Sequence, residues 1–75
     1  MNAYFVMSYR NESQDENWKY LAMETINYDP NGNNSSEYIS VHDTYAEAEA
    51  VVDNMVSNNA DYIKLSSADI EGKAA

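Results

Sequence analysis

Cysteine is absent from this 75-residue chain, so no disulfide can staple the fold and no thiolate can act as nucleophile or metal ligand. Stability has to come from packing or from a partner. Glycine occurs only twice, too little for a phosphate-cradling loop. The single histidine, His42, rules out a multi-histidine metal site. Asp43 beside it could orient the ring, but no serine sits in a recognisable nucleophile elbow, so no catalytic residue is assigned. No apolar run approaches the roughly 18 residues of a membrane span, and no basic stretch followed by an apolar one marks a secretory leader. The expectation is a cytoplasmic protein without cofactor or metal.

Large aliphatic side chains are also few: two Leu, four Ile and five Val, with one Phe. Together with a net charge of -9, that poverty is typical of disordered chains. Seven Tyr, four Met and one Trp argue the other way, because aromatics are what a disordered segment lacks. A chain of this length holds one core, and a single domain is expected over residues 1–71, with 72–75 as a flexible tail.

Positive charge is the last scarcity. Arg10, Lys19, Lys64 and Lys73 stand against 13 Asp and Glu. Such a surface repels free nucleic acid and anionic membranes, so any partner should be a basic protein. The plainer alternative is that the excess only maintains solubility.

The clearest pattern present is the stretch from Val41 to Asn58. Tyr45, Ala48, Val51, Val52, Met55 and Val56 form one stripe at helical spacing,. Thr44 and Glu47 make a capping box, and Asp43 and Glu47 lie where the helix dipole favours negative charge. Ser57, Asn58 and Asn59 form the stop, with Asn able to take the left-handed conformation. The spacing predicts a helix over 45–58.

Around it the chain reads mainly as strands. From Met1 to Arg10, Ala3, Phe5, Met7 and Tyr9 alternate with Tyr4, Val6 and Ser8, and both faces carry large side chains. The polar run Asn11 to Asn17 reads as a loop. Trp18 to Tyr28 fits a strand, and also a helix capped by Ser13 and Glu16. The strand is preferred because Asp29-Pro30-Asn31-Gly32 follows, a turn with Pro at its second position and a Gly free to take positive φ at its fourth. Asp29, Asn31 and Asn33 imitate the start of a calcium loop, but Asn34 and Ser40 occupy the places that need Gly and Glu. Glu37 to His42 and Asp61 to Ser66 alternate as short strands, and Ser66 to Glu71 could form one helical turn. The order β-β-(β)-α-β implies a small α+β fold, an antiparallel sheet of three or four strands with one amphipathic helix packed on one face.

Two surfaces are candidates for binding. Between Asp43 and Asp53 the helix rises about 15 Å, and Asp43, Glu47, Glu49 and Asp53 lie off its apolar stripe. Glu49 and Asp53 are a like-charged i, i+4 pair, a repulsion that a basic partner would relieve. The loop acids Glu12, Asp15 and Glu16 are the second choice of contact. The sheet face left after the helix has covered the other would hold Tyr4 and Val6, with Tyr20 or Tyr38, and could form a homodimer.

In size and charge, and in the acid-rich runs DTYAEAEAVVD and NESQDE, the chain resembles the small acidic proteins that phages and other mobile elements use against bacterial defences, the anti-CRISPR proteins and anti-restriction DNA mimics. The resemblance implies a non-enzymatic inhibitor that occupies the nucleic-acid channel or a protein surface of a defence complex. Those inhibitors share no signature, so it assigns no individual residue. The alternative is a structural or assembly module that dimerises through the Tyr-rich face.

Overall fold

The computed structural model describes residues 1–11, 15–32 and 34–66, with the backbone alone at 11 and 15–17. The helical turn expected over Ser66 to Glu71 and the tail at 72–75 lie, from residue 67 onward, outside the described residues. Within them the order is β1 (Asn2–Asn11), β2 (Asp15–Thr25), β3 (Ser36–His42), α1 (Tyr45–Asn58) and β4 (Tyr62–Lys64). The strands form one sheet in the spatial order β3-β2-β1-β4, with α1 packed on it. The α+β expectation holds.

β1 and β2 pair antiparallel from Ala3↔Thr25 to Tyr9↔Lys19, so the strand reading of Trp18 to Thr25 is the correct one. Alternation wins over the helical stripe here because every second residue of β2 meets a partner on β1. Asp15 already pairs with Asn11 across an irregularity after Tyr9, which corrects the expected loop at 11–17: Asp15 to Asn17 belong to β2. Pairing is a backbone property, and polar side chains at the turn end of a long hairpin do not oppose it.

The sheet is mixed, not purely antiparallel, because β4 runs parallel to β1. β3 is antiparallel to β2 and so points the same way as β1. The helix turns the chain back once, and β4 turns it again. α1 therefore carries the chain across β2 and β1, from one edge of the sheet to the other.

Packing decides which face the helix takes. Tyr4, Val6 and Ala22 from the sheet bury together with Ala48 and Val52 from α1, flanked by Tyr20, Val51, Met55, Val56 and Tyr62. Ala22 and Ala48 have no exposed surface; two such small side chains let helix and sheet approach closely. This reverses the expected assignment, in which Tyr4, Val6 and Tyr20 remained for an interface. The opposite face has its own cluster, Ala3, Phe5, Met23 and Leu65 among Met7, Leu21, Tyr28 and Ile63.

The helix begins and ends where its sequence predicts, by partly different means. Glu47 N–H donates to Thr44 Oγ1 (3.2 Å), but the Glu47 carboxylate accepts from the Thr44 hydroxyl (3.1 Å), so the second half of the capping box closes between side chains. At the C-terminus Asn59 is extended, with φ -135°, not left-handed. The Asn58 and Asn59 side-chain amides instead donate to the carbonyls of Asn54 and Met55, and so bind the last turn from the side chains.

The turn at Asp29 closes with Gly32 N–H on the Asp29 carbonyl (3.2 Å). Gly32 does not have positive φ; that conformation belongs to Asn27, at 56°. A Cβ at 32 would lie 2.7 Å from an Asp29 carboxylate oxygen, so a larger residue there would have to displace that side chain from the turn.

Candidate functional site

The helix acids and the β3–α1 junction hold most of the chemistry the fold displays. Lys64 leaves β4 on the helix side and meets two carboxylates of α1, Asp53 at 2.8 Å and Glu49 at 3.2 Å. Residues four apart on a helix share a face, so one ammonium spans both. The hydrogen bond to Asp53 and the contact with Glu49 raise the Lys64 pKa against a smaller opposing effect of burial. The like-charge repulsion expected to await a basic partner is thus already relieved within the chain.

A second pair lies at the start of the helix. Lys19 on β2 donates to Asp43 at 2.6 Å, and that hydrogen bond, followed by the lysine's charge, lowers the Asp43 pKa. Glu47 is held by Thr44 and lies 3.9 Å from His42 Nδ1. The four expected contact acids accordingly divide into two groups, Asp43 held by Lys19 and Glu47 by Thr44 at the start of the helix, and Glu49 and Asp53 around Lys64. Asp43 is thus ion-paired to Lys19, while Glu49 and Asp53 share the single Lys64. Asp43, Glu47 and Asp53 remain largely exposed at the side chain, at 79, 60 and 56%.

The other expected contacts fare differently. Glu12 lies outside the described residues, as do the side chains of Asp15 and Glu16, whose backbone opens β2. Tyr4 and Val6 are buried beneath α1 and Tyr20 is half-buried there, because the helix chose their face. Of the four interface candidates only Tyr38 is exposed, at 64%.

One grouping escaped the sequence reading. Ser40 Oγ lies 2.7 Å from His42 Nε2, and Glu47 stands on the other side of the ring. The signal was available, since residues i and i+2 of a strand share a face. The arrangement imitates a serine–histidine–acid relay, but 3.9 Å from Nδ1 to the carboxylate is beyond a hydrogen bond. The Ser40–His42 bond lies within β3 and orients the ring toward the helix start. Beside it, Trp18, Lys19, Tyr20 and Asp43 line an open depression of about 490 Å³, with Arg10 stacked 5.2 Å from the Trp18 ring. Among the described residues no three His, Asp or Glu side chains converge as a metal site, and no helix is long and apolar enough to cross a membrane.

A stacked tyrosine pair, Tyr4 buried and Tyr62 half-buried, supports the other end of the site. Tyr62 stacks on Tyr4, with ring centroids 4.2 Å apart, and donates its hydroxyl to Glu24 at 2.6 Å. The bond to that carboxylate, with burial second, drives the Tyr62 pKa well above the usual phenol range. Glu24 is thereby fixed next to β3, where its cross-strand partner is another acid, Glu37.

The chain matches no protein-family model, no curated protein and no solved structure.

Proposed function

We propose that this chain is a small, acidic, non-enzymatic binding protein that docks carboxylates on a basic, nucleic-acid-binding protein surface, as an inhibitor of the anti-CRISPR or anti-restriction kind. The observation that carries the reading is the helix-borne acid display. Asp43, Glu47, Glu49 and Asp53 are held by side-chain partners, and two lysines balance only half of their charge. Carboxylates already ordered in this way lose little conformational freedom on binding. A net charge of -9 adds long-range attraction to a basic surface and speeds encounter at low salt.

The test is affinity capture of the partner at two salt concentrations, followed by titration of the captured protein with the parent and with the triple variant Glu47→Gln, Glu49→Gln, Asp53→Asn. Neutral isosteres are preferable to Lys, because reversal would crowd positive charge around Lys64. Binding should weaken with salt, since screening at physiological strength acts over about 8 Å, and weaken further in the variant. An affinity indifferent to both salt and the three substitutions refutes the reading.

A second reading is self-association through the sheet face opposite the helix. It is favoured by Tyr38 and Val41, exposed next to the Phe5 and Met23 cluster. Sedimentation that finds only monomer at micromolar concentration removes it.

A further inference from the structure

The two edges of the sheet are unlike. β4 is three residues long and pairs with only Asn2, Ala3 and Tyr4 of β1. β3 spans seven residues and forms the opposite edge. Natural edges are commonly blunted by Lys or Pro; β3 contains neither. Its one irregularity is the register shift against Ala22 and Met23, which leaves Ile39 unpaired with β2. Tyr38, Ile39 and Val41 are all exposed, and Tyr38 and Val41 share the face opposite the helix.

Charge along the same edge has an unmet requirement. Glu37 lies directly opposite Glu24 on β2, and like charges at opposed positions of a sheet repel. Glu24 has the Tyr62 hydroxyl. Glu37 is exposed and, among the described residues, has no hydrogen-bond or ion-pair partner. An added strand would place one of its own residues across from Glu37, on the helix side. A Lys or Arg there would neutralise the acid pair. Apolar residues at the alternate positions would meet Tyr38 and Val41.

We propose that the outer edge of β3 is a docking strand for an extended, basic segment of the partner, which joins the sheet as a fifth strand with Lys or Arg facing Glu37 and apolar side chains facing Tyr38 and Val41. Main-chain hydrogen bonds supply affinity and the alternating pockets supply selectivity, as in other strand-addition complexes. The proposal rests on the reading that the partner is basic, and names where that partner binds. A second copy of this chain fits less well, because it would bring another acidic surface to the same edge.

The probe is a capped peptide of alternating Lys and Val, compared with the same peptide N-methylated at every second residue, which keeps its charge but blocks strand pairing. Each is titrated into the isotopically labelled protein while amide shifts and amide exchange are followed. The unmodified peptide should shift and protect amides of Ser36–His42. N-methylation should weaken binding about tenfold or more, through lost main-chain hydrogen bonds, and Glu37→Gln should also weaken it. If both peptides bind alike and perturb the α1 acids, the edge proposal is overturned while the basic-partner reading stands. If neither binds at low salt, the edge proposal is again overturned, and the salt-dependent capture, which needs no strand, decides the other reading by itself. β3 amides protected in a dimer without peptide would assign the edge to a second copy and overturn the proposal too.

Discussion

Val52→Ala is the substitution that most directly tests the packing. Val52 has no exposed surface and sits at the centre of the helix–sheet contact. Removing two methyl groups forfeits about 0.8 kcal/mol each in transfer free energy, and the cavity left behind adds about 1 kcal/mol if the neighbours relax only in part. The expected loss is about 2–3 kcal/mol, against a total of about 4–11 kcal/mol for a chain of this length. With a urea slope of about 1 kcal/mol/M for a small domain, the unfolding midpoint should fall by about 2–3 M. Val41→Ala is the control, since Val41 is 52% exposed on the opposite face and should cost no more than about 0.5 kcal/mol. Both are read from urea titrations followed by circular dichroism. A Val52→Ala loss below about 1 kcal/mol, or one equal to that of Val41→Ala, would refute the assignment of faces.

Lys64→Met keeps the stem of the side chain and removes the charge between Glu49 and Asp53; because these groups are a third exposed or more, the cost should be only about 0.5 kcal/mol. It should shrink in about 1 M salt, where the screening length falls to about 3 Å, and urea midpoints that show no salt dependence would contradict the pairing. Tyr62 gives a pH dependence: its raised pKa means the folded chain binds the phenolic proton more tightly, so its contribution is complete below the unfolded value of about 10 and is lost as pH rises above it. Tyr62→Phe should flatten that alkaline slope, and an unchanged slope in the variant would exclude the Tyr62 hydroxyl as its source.

The helix was legible because its information is local. The apolar stripe, the Thr44 cap and the polar stop all lie within one short stretch, and the structure begins and ends α1 at the expected residues. The strands were legible from alternation, with β2 the close case that its pairing to β1 decided. What could not be read were relations between distant segments. Lys64 meets Glu49 and Asp53 only because the crossover lays β4 beside β1 in parallel, and no local pattern encodes that return. The choice of face was within reach but was not recognised. Both faces of β1 are apolar, and the deciding signal was the small residue Ala22 on β2, matched by Ala48 on the helix. The expected tyrosine interface was lost for that reason, since Tyr4 and Tyr20 share the face that Ala22 opens to the helix.

The change of face also moves the place where a partner can act. With Tyr4, Val6 and Tyr20 under the helix, the exposed apolar surface shifts from the middle of the sheet to β3 at its rim. There it lies within a few residues of Glu37, which faces Glu24 and whose side chain has no partner among the described residues. By contrast, Asp43 already has Lys19, and Glu49 and Asp53 share Lys64. A cation arriving at α1 must compete with Lys64 or Lys19 for carboxylates in use, whereas a cation arriving at Glu37 meets an acid with no competitor. On the proposed reading, the gain per charge is therefore larger at the β3 edge, and the helix acids supply the broader field that would bring a basic partner near. Neutralising the helix acids should accordingly slow association at low salt, and Glu37→Gln should instead speed dissociation, a division that stopped-flow binding at two salt concentrations can measure. If Glu37→Gln changes only the association rate, the edge acid is part of the general field and not a contact.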